Sequence, residues 1–127
     1  METIFRESTS ETPEIAFNFE QGNFHLKGRS SLRYPTSFFK PFLKPLENYV
    51  HHAANVTIVT IHFEFVNNAS TRWIFEILKV FENIHNMGKT VLIKWFFEKE
   101  SQRRLGHQFQ SAVNLPFKMI SMQVNSL

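Results

Sequence analysis

Between Val56 and Phe97 the apolar residues change period twice. Val56 to Phe65 is rich in β-branched and aromatic residues, and Val59, Ile61, Phe63 and Phe65 alternate onto one face, which predicts a strand. Ile74, Ile77, Leu78, Phe81 and His85 then recur at spacings of three and four, the buried stripe of a helix that Gly88 is placed to stop. Thr90 to Phe97 returns to strand character. It is apolar on both faces at its centre (Leu92, Ile93), as an internal strand would be. A helix between two strands of one sheet requires a crossover, so these strands are expected to run parallel. That constraint excludes an all-α fold and a simple antiparallel meander.

The flanks extend the pattern. Ile15, Phe17 and Phe19 alternate with polar or small residues, Gln21-Gly22-Asn23 reads as a turn, and Phe24 and Leu26 continue a second strand to Gly28. Phe38, Phe39, Phe42, Leu43, Leu46, Tyr49 and Val50 make one helical face. Pro41 is expected in a first turn starting near Lys40, and Pro45 is expected to kink or loosen that helix. Glu100 to Val113 reads as a helix with Leu105, Phe109, Ala112 and Val113 inward, and Phe117 to Val124 as a last short strand. Residues 1–12 are expected to be a flexible lead-in and 13–127 a single domain. The predicted fold is α/β: a single mixed sheet of about five strands, an N-terminal hairpin plus crossover strands, with helices packed on it.

At 127 residues the chain has length for a real core without staples. Its 15 Phe mostly fall at strand or helix period, so core packing accounts for them. All eleven acids are Glu, and Cys is absent. Chemistry built on Asp, disulfides, thiolate metal sites and thiol nucleophiles is therefore excluded. The net charge of +3 is thinly spread, with Arg103-Arg104 as the sole basic doublet, which argues against a nucleic-acid partner. No apolar run is long enough to span a membrane. The polar start lacks signal-peptide character, so a cytoplasmic location is expected.

The six His (25, 51, 52, 62, 85, 107) show no metal-ligand spacing, although His62 and Glu64 share one strand face. No glycine-rich phosphate loop, nucleophile elbow or paired-carboxylate pattern occurs, so neither catalysis nor a cofactor is expected. The informative stretch is Phe65 to Trp73, which joins a strand to a helix start. Asn68 and Ser70 are candidate caps there. Arg72 and an exposed Trp73 would suit a protein interface. Free amides at that helix start leave a small-ligand or nucleotide-phosphate site as an alternative.

The chain also resembles the SiaC family of bacterial regulatory phosphoproteins, from about Thr12 to Val124. The resemblance rests on Thr12-Pro13-Glu14-Ile15, Gly28-Arg29-Ser30, Phe38 to Leu43 with Leu46 and Tyr49, the Phe65 to Arg72 loop, Gly88, and Lys94 to Glu98. It implies a STAS-like domain without catalytic activity that works by partner switching. A serine/threonine kinase phosphorylates a loop residue, a metal-dependent phosphatase reverses this, and the unphosphorylated form activates a diguanylate cyclase, raising cyclic di-GMP and favouring biofilm. Family loops read Asn, then Thr or Ser, then small hydroxyl residues, then Lys or Arg. Here Asn67 and Arg72 match, but Asn68 fills the acceptor position. The resemblance therefore leaves two readings: a binder that is not phosphorylated, or an acceptor moved to Ser70 or Thr71.

Overall fold

The computed structural model describes residues 3–122. Six strands and three helices follow in order: β1 (Ile4–Arg6), β2 (Glu14–Asn18), β3 (Asn23–Ser30), α1 (Thr36–Val50), β4 (Val56–Val66), α2 (Asn68–Asn86), β5 (Thr90–Phe97), α3 (Glu100–Ala112) and β6 (Phe117–Ser121). The sheet has the same spatial order as the sequence. β1, β2 and β3 pair antiparallel, and β3 through β6 pair parallel. The predicted hairpin and crossovers are therefore present in one mixed sheet.

Three details differ from expectation, and one lies partly outside the described residues. The sheet has six strands rather than about five, because Ile4–Arg6 pairs with Ile15–Phe17 inside the supposed lead-in. α1 starts at Thr36 rather than near Lys40 and runs through both Pro41 and Pro45. Each proline removes one backbone bond, and the buried stripe of Phe39, Phe42, Leu46 and Tyr49 holds the helix regardless. α2 starts at Asn68, so residues read as a polar loop form its first turn. The final strand is described to Ser121, and Val124 lies outside the described residues.

All three helices cover one face. Tyr49 of α1 bonds Thr57 of β4 at 2.7 Å, Phe81 of α2 packs edge-on to Phe24 of β3 at 5.0 Å, and Phe109 of α3 lies against Trp95 of β5 at 5.7 Å. The core between layers is dominated by aromatic and branched side chains. α3 comes so close to β5 that a Cβ at Gly106 would stand 2.5 Å from the Trp95 indole nitrogen, so glycine is required there. Gly88 just past α2 has φ +92°, the left-handed stop that its position predicted. On the opposite face, Ala16, His25, Thr60, Lys94 and Lys118 form one cross-strand row without a helix over it. No helix of the described residues is long and apolar enough to cross a membrane.

Candidate partner-binding site

Asn67 closes β4 and opens α2. Its extended backbone (φ −79°, ψ 168°) places Oδ1 to accept the Ser70 amide at 2.9 Å. The cap is therefore Asn67 rather than Asn68 or Ser70. Its Nδ2 donates to the Leu32 carbonyl at 2.8 Å, and its backbone N–H donates to the Ser30 carbonyl at 2.9 Å. Its own carbonyl accepts from the Thr71 amide and hydroxyl at 3.1 and 3.0 Å. One residue thus ties the start of α2 to the end of β3.

A second tie lies underneath. The Ser30 hydroxyl donates to the Ser70 hydroxyl at 2.7 Å, and both residues are 0% exposed. Two buried hydroxyls satisfy each other, which avoids the cost of leaving either unpaired. Asn68, Ala69 and Arg72 face solvent, Thr71 is half-buried, and the first turn of α2 carries no acid. The positive end of the helix is consequently open to an anionic group.

The rim widens around this turn. A bulge shifts the β3–β4 register between Gly28 and Arg29, so Phe63 and Phe65 oppose successive residues of β3. Phe65, expected by alternation to share a face with Val59, Ile61 and Phe63, is 45% exposed while those three are buried, and the Arg29 guanidinium lies 5.1 Å above its ring. Tyr34, in the β3–α1 loop beside Leu32, is 79% exposed. Trp73 is half-buried and packs on the core, so the exposed aromatic groups at this edge are Phe65 and Tyr34. Sequence reasoning missed both. Tyr34 had no periodic neighbours to mark it, and the bulge that turns Phe65 outward arises from pairing.

On the other side of β4, Gln102 of α3 reaches back. Its Oε1 accepts the Glu98 and Lys99 amides at 2.7 and 3.1 Å, and its Nε2 donates to the Glu64 carbonyl at 3.1 Å. The Trp95 indole donates to the Gln102 carbonyl at 2.9 Å. A cavity of about 480 Å³ opens between β4, β5 and α3 beside these contacts. His62 and Glu64 do not partner each other. Glu64 pairs with Arg29 at 3.3 Å, and His62 lies 3.8 Å from Glu98. No group of three metal-ligating side chains is poised to hold an ion among the described residues.

A structured helix start, an exposed aromatic-arginine rim and an adjoining cavity are features of a recognition surface. Comparison with known proteins agrees with the fold beneath it. The profile of the "SiaC family regulatory phosphoprotein" matches residues 6–122. The chain belongs to the SiaC family. It is 21% identical over 111 residues to an uncharacterised protein of Pseudomonas aeruginosa strain UCBPP-PA14, covering 86% of this chain and 88% of that one. Crystalline apo-SiaC of Pseudomonas aeruginosa superposes with a TM-score of 0.87 at 19% identity, covering 94% of this chain and 99% of that chain. A chain in the crystal structure of the diguanylate cyclase SiaD with its activator SiaC, also from Pseudomonas aeruginosa, gives 0.85 at 19% identity, with 93% and 98% covered. Asn68 is exposed in the first turn of α2.

Proposed function

We propose that this chain is a non-enzymatic, cytoplasmic signalling adaptor that binds its partner without being switched by phosphate at the start of α2. The observation that carries the reading is Asn68. A carboxamide occupies the exposed position where the resemblance expects a hydroxyl, and an amide cannot take up a phosphoryl group. The neighbouring hydroxyls are poor substitutes. Ser70 is fully buried against Ser30, and Thr71 spends its hydroxyl on the Asn67 carbonyl. Phosphorylating Ser70 would require opening the contact that fixes the helix start.

The partner best supported is a diguanylate cyclase, because a fold-level relative is an activator seated on one. A kinase and a phosphatase of the family type are further partners by resemblance, and cyclic di-GMP output and biofilm growth follow from the cyclase. The decisive experiment mixes the chain with the serine/threonine kinase and the diguanylate cyclase of its own host. Wild type should bind and activate the cyclase and take up no phosphate. Asn68→Thr should become a kinase substrate and, once phosphorylated, should lose cyclase binding. Stoichiometric phosphorylation of wild type would overturn the reading.

A further inference from the structure

The cavity beside the helix start has a composition that the recognition rim alone does not explain. Phe63 and Trp95 lie beneath it and are already covered, at 2% and 1% exposed, whereas Phe65 on its wall is 45% exposed. Val66 and Leu105 form apolar walls, and Arg104 and Gln108 stand at the mouth. The polar groups beneath are already engaged: Gln102 uses its side chain on the Glu98 and Lys99 amides just before α3 and on the Glu64 carbonyl. What remains open is an apolar wall of Phe65, Val66 and Leu105 beside the Arg104 guanidinium.

The charges around it point the same way. Glu64 is paired with Arg29, and Glu100, one turn before Arg104, is held by Arg103. Arg104 is exposed and has no carboxylate within ion-pair distance among the described residues, and Arg72 in the opening turns of α2 has none either. Glu64, which lines the cavity, and Glu100 are thus each engaged by an arginine, while the Arg104 guanidinium on the lining stays available. The cavity is open to solvent, whereas small-ligand sites enclose most of their ligand. Protein hot spots characteristically seat one large apolar side chain in a pocket beside an arginine.

We infer that this cavity receives a segment of the partner protein that inserts an aromatic or large aliphatic side chain against Phe65, Val66 and Leu105 and presents an Asp or Glu carboxylate to Arg104. The inference rests on the partner-binding reading and deepens it by naming the chemistry of the segment. The carboxylate gains a charge-assisted bond at the exposed rim, and the side chain gains apolar burial. The complex should therefore weaken as salt is raised.

The test selects short random peptides displayed against the intact chain, then measures the best binder as a fluorescein-labelled peptide. Enriched sequences should pair a large apolar residue with Asp or Glu. Arg104→Glu should weaken binding by about tenfold or more, as expected for removing one partner of a charged contact and reversing its sign. Ser101→Trp, at an exposed position on the cavity wall, should block the peptide while thermal unfolding stays unchanged. Enrichment without acids, or binding indifferent to both substitutions, would overturn the inference. A second arm uses the host diguanylate cyclase. If it binds wild type and both variants equally, the cavity inference fails and the adaptor reading stands. If it does not bind wild type but the peptides still seat as described, the adaptor reading fails and the cavity assignment stands.

Discussion

Two helices start at the same edge of the sheet, and they satisfy their free amides in different ways. α2 is capped from outside the helix: Asn67 accepts the Ser70 amide and anchors itself to Ser30 and Leu32. α3 is tied from within: Gln102 reaches back to the Glu98 and Lys99 amides and across to Glu64. α3 also carries its own acid, Glu100, in the first turn, whereas α2 has none. An anion near a helix start is favourable. α3 meets that preference internally, and α2 leaves it open to whatever approaches Asn68. On the proposed reading, the α2 start is the one left open to a partner, while the tie at α3 holds the wall of the cavity in place.

The comparison breaks most visibly at Gln102. Gln102→Ala would strand two amides and the Glu64 carbonyl at a largely buried position, at a cost of about 2–3 kcal/mol. Chemical denaturation should report that loss with an unchanged slope. If the loss is negligible, water replaces the glutamine and the internal tie is not structural. Asn67→Ala should cost less, about 1–2 kcal/mol, because the helix start is closer to solvent. It should also weaken partner binding, since the turn presenting Asn68 loses its anchor to Leu32. Asn67→Ala with unchanged binding would show that the partner does not read this turn.

The far ends of the same two helices test the comparison through pH. Glu82 of α2 accepts from Lys79 and from the Asn114 amide just beyond α3. The Lys79 hydrogen bond, followed by the Asn114 amide, holds its carboxyl below the ordinary value of 4.5, and both outweigh its burial. A depressed folded-state pKa adds stability that is present above the unfolded value and is lost as pH falls through the folded one. The wild-type chain should therefore lose stability below about pH 4.5, and Glu82→Gln should flatten that acid limb. Thermal melts of both proteins across an acidic pH series would check it. Parallel acid limbs would mean that other carboxylates govern acid unfolding.

The legibility of this chain follows from where its information lies. The parallel strands and α2 were readable because periods of 2 and 3.6 are local properties of the side chains. β1 was not readable: three residues, Ile4–Arg6, give no period and become a strand only by pairing with β2. α1 contradicted its prolines because packing of Phe39, Phe42 and Leu46 outweighs local preference. At the site, Asn67 to Arg72 was recognised as important from the strand-to-helix junction, yet the capping residue was misplaced by one to three positions. Asn, Ser and Thr suit caps and first turns alike, and only the observed bonds separate those roles. The contact between Gln102 and Glu64 spans 38 residues, so no local pattern could announce the cavity they flank.

The smallest effect belongs to Glu100. Its carboxyl is held below the usual range chiefly by the Arg103 hydrogen bond, and Arg103 is raised by the same contact. Both groups face solvent, and exposed pairs of this kind contribute little to stability. Glu100→Gln should therefore leave unfolding nearly unchanged while releasing Arg103, the neighbour of the cavity-lining Arg104 in sequence. The freed cation strengthens the field that draws an acidic segment, so the labelled acidic peptide should bind the variant modestly tighter, with a steeper salt dependence. Measuring that affinity at low and high salt separates the two helix starts again. An unchanged affinity would mean that the charge at α3 is decoration and that the partner answers only to the open start of α2.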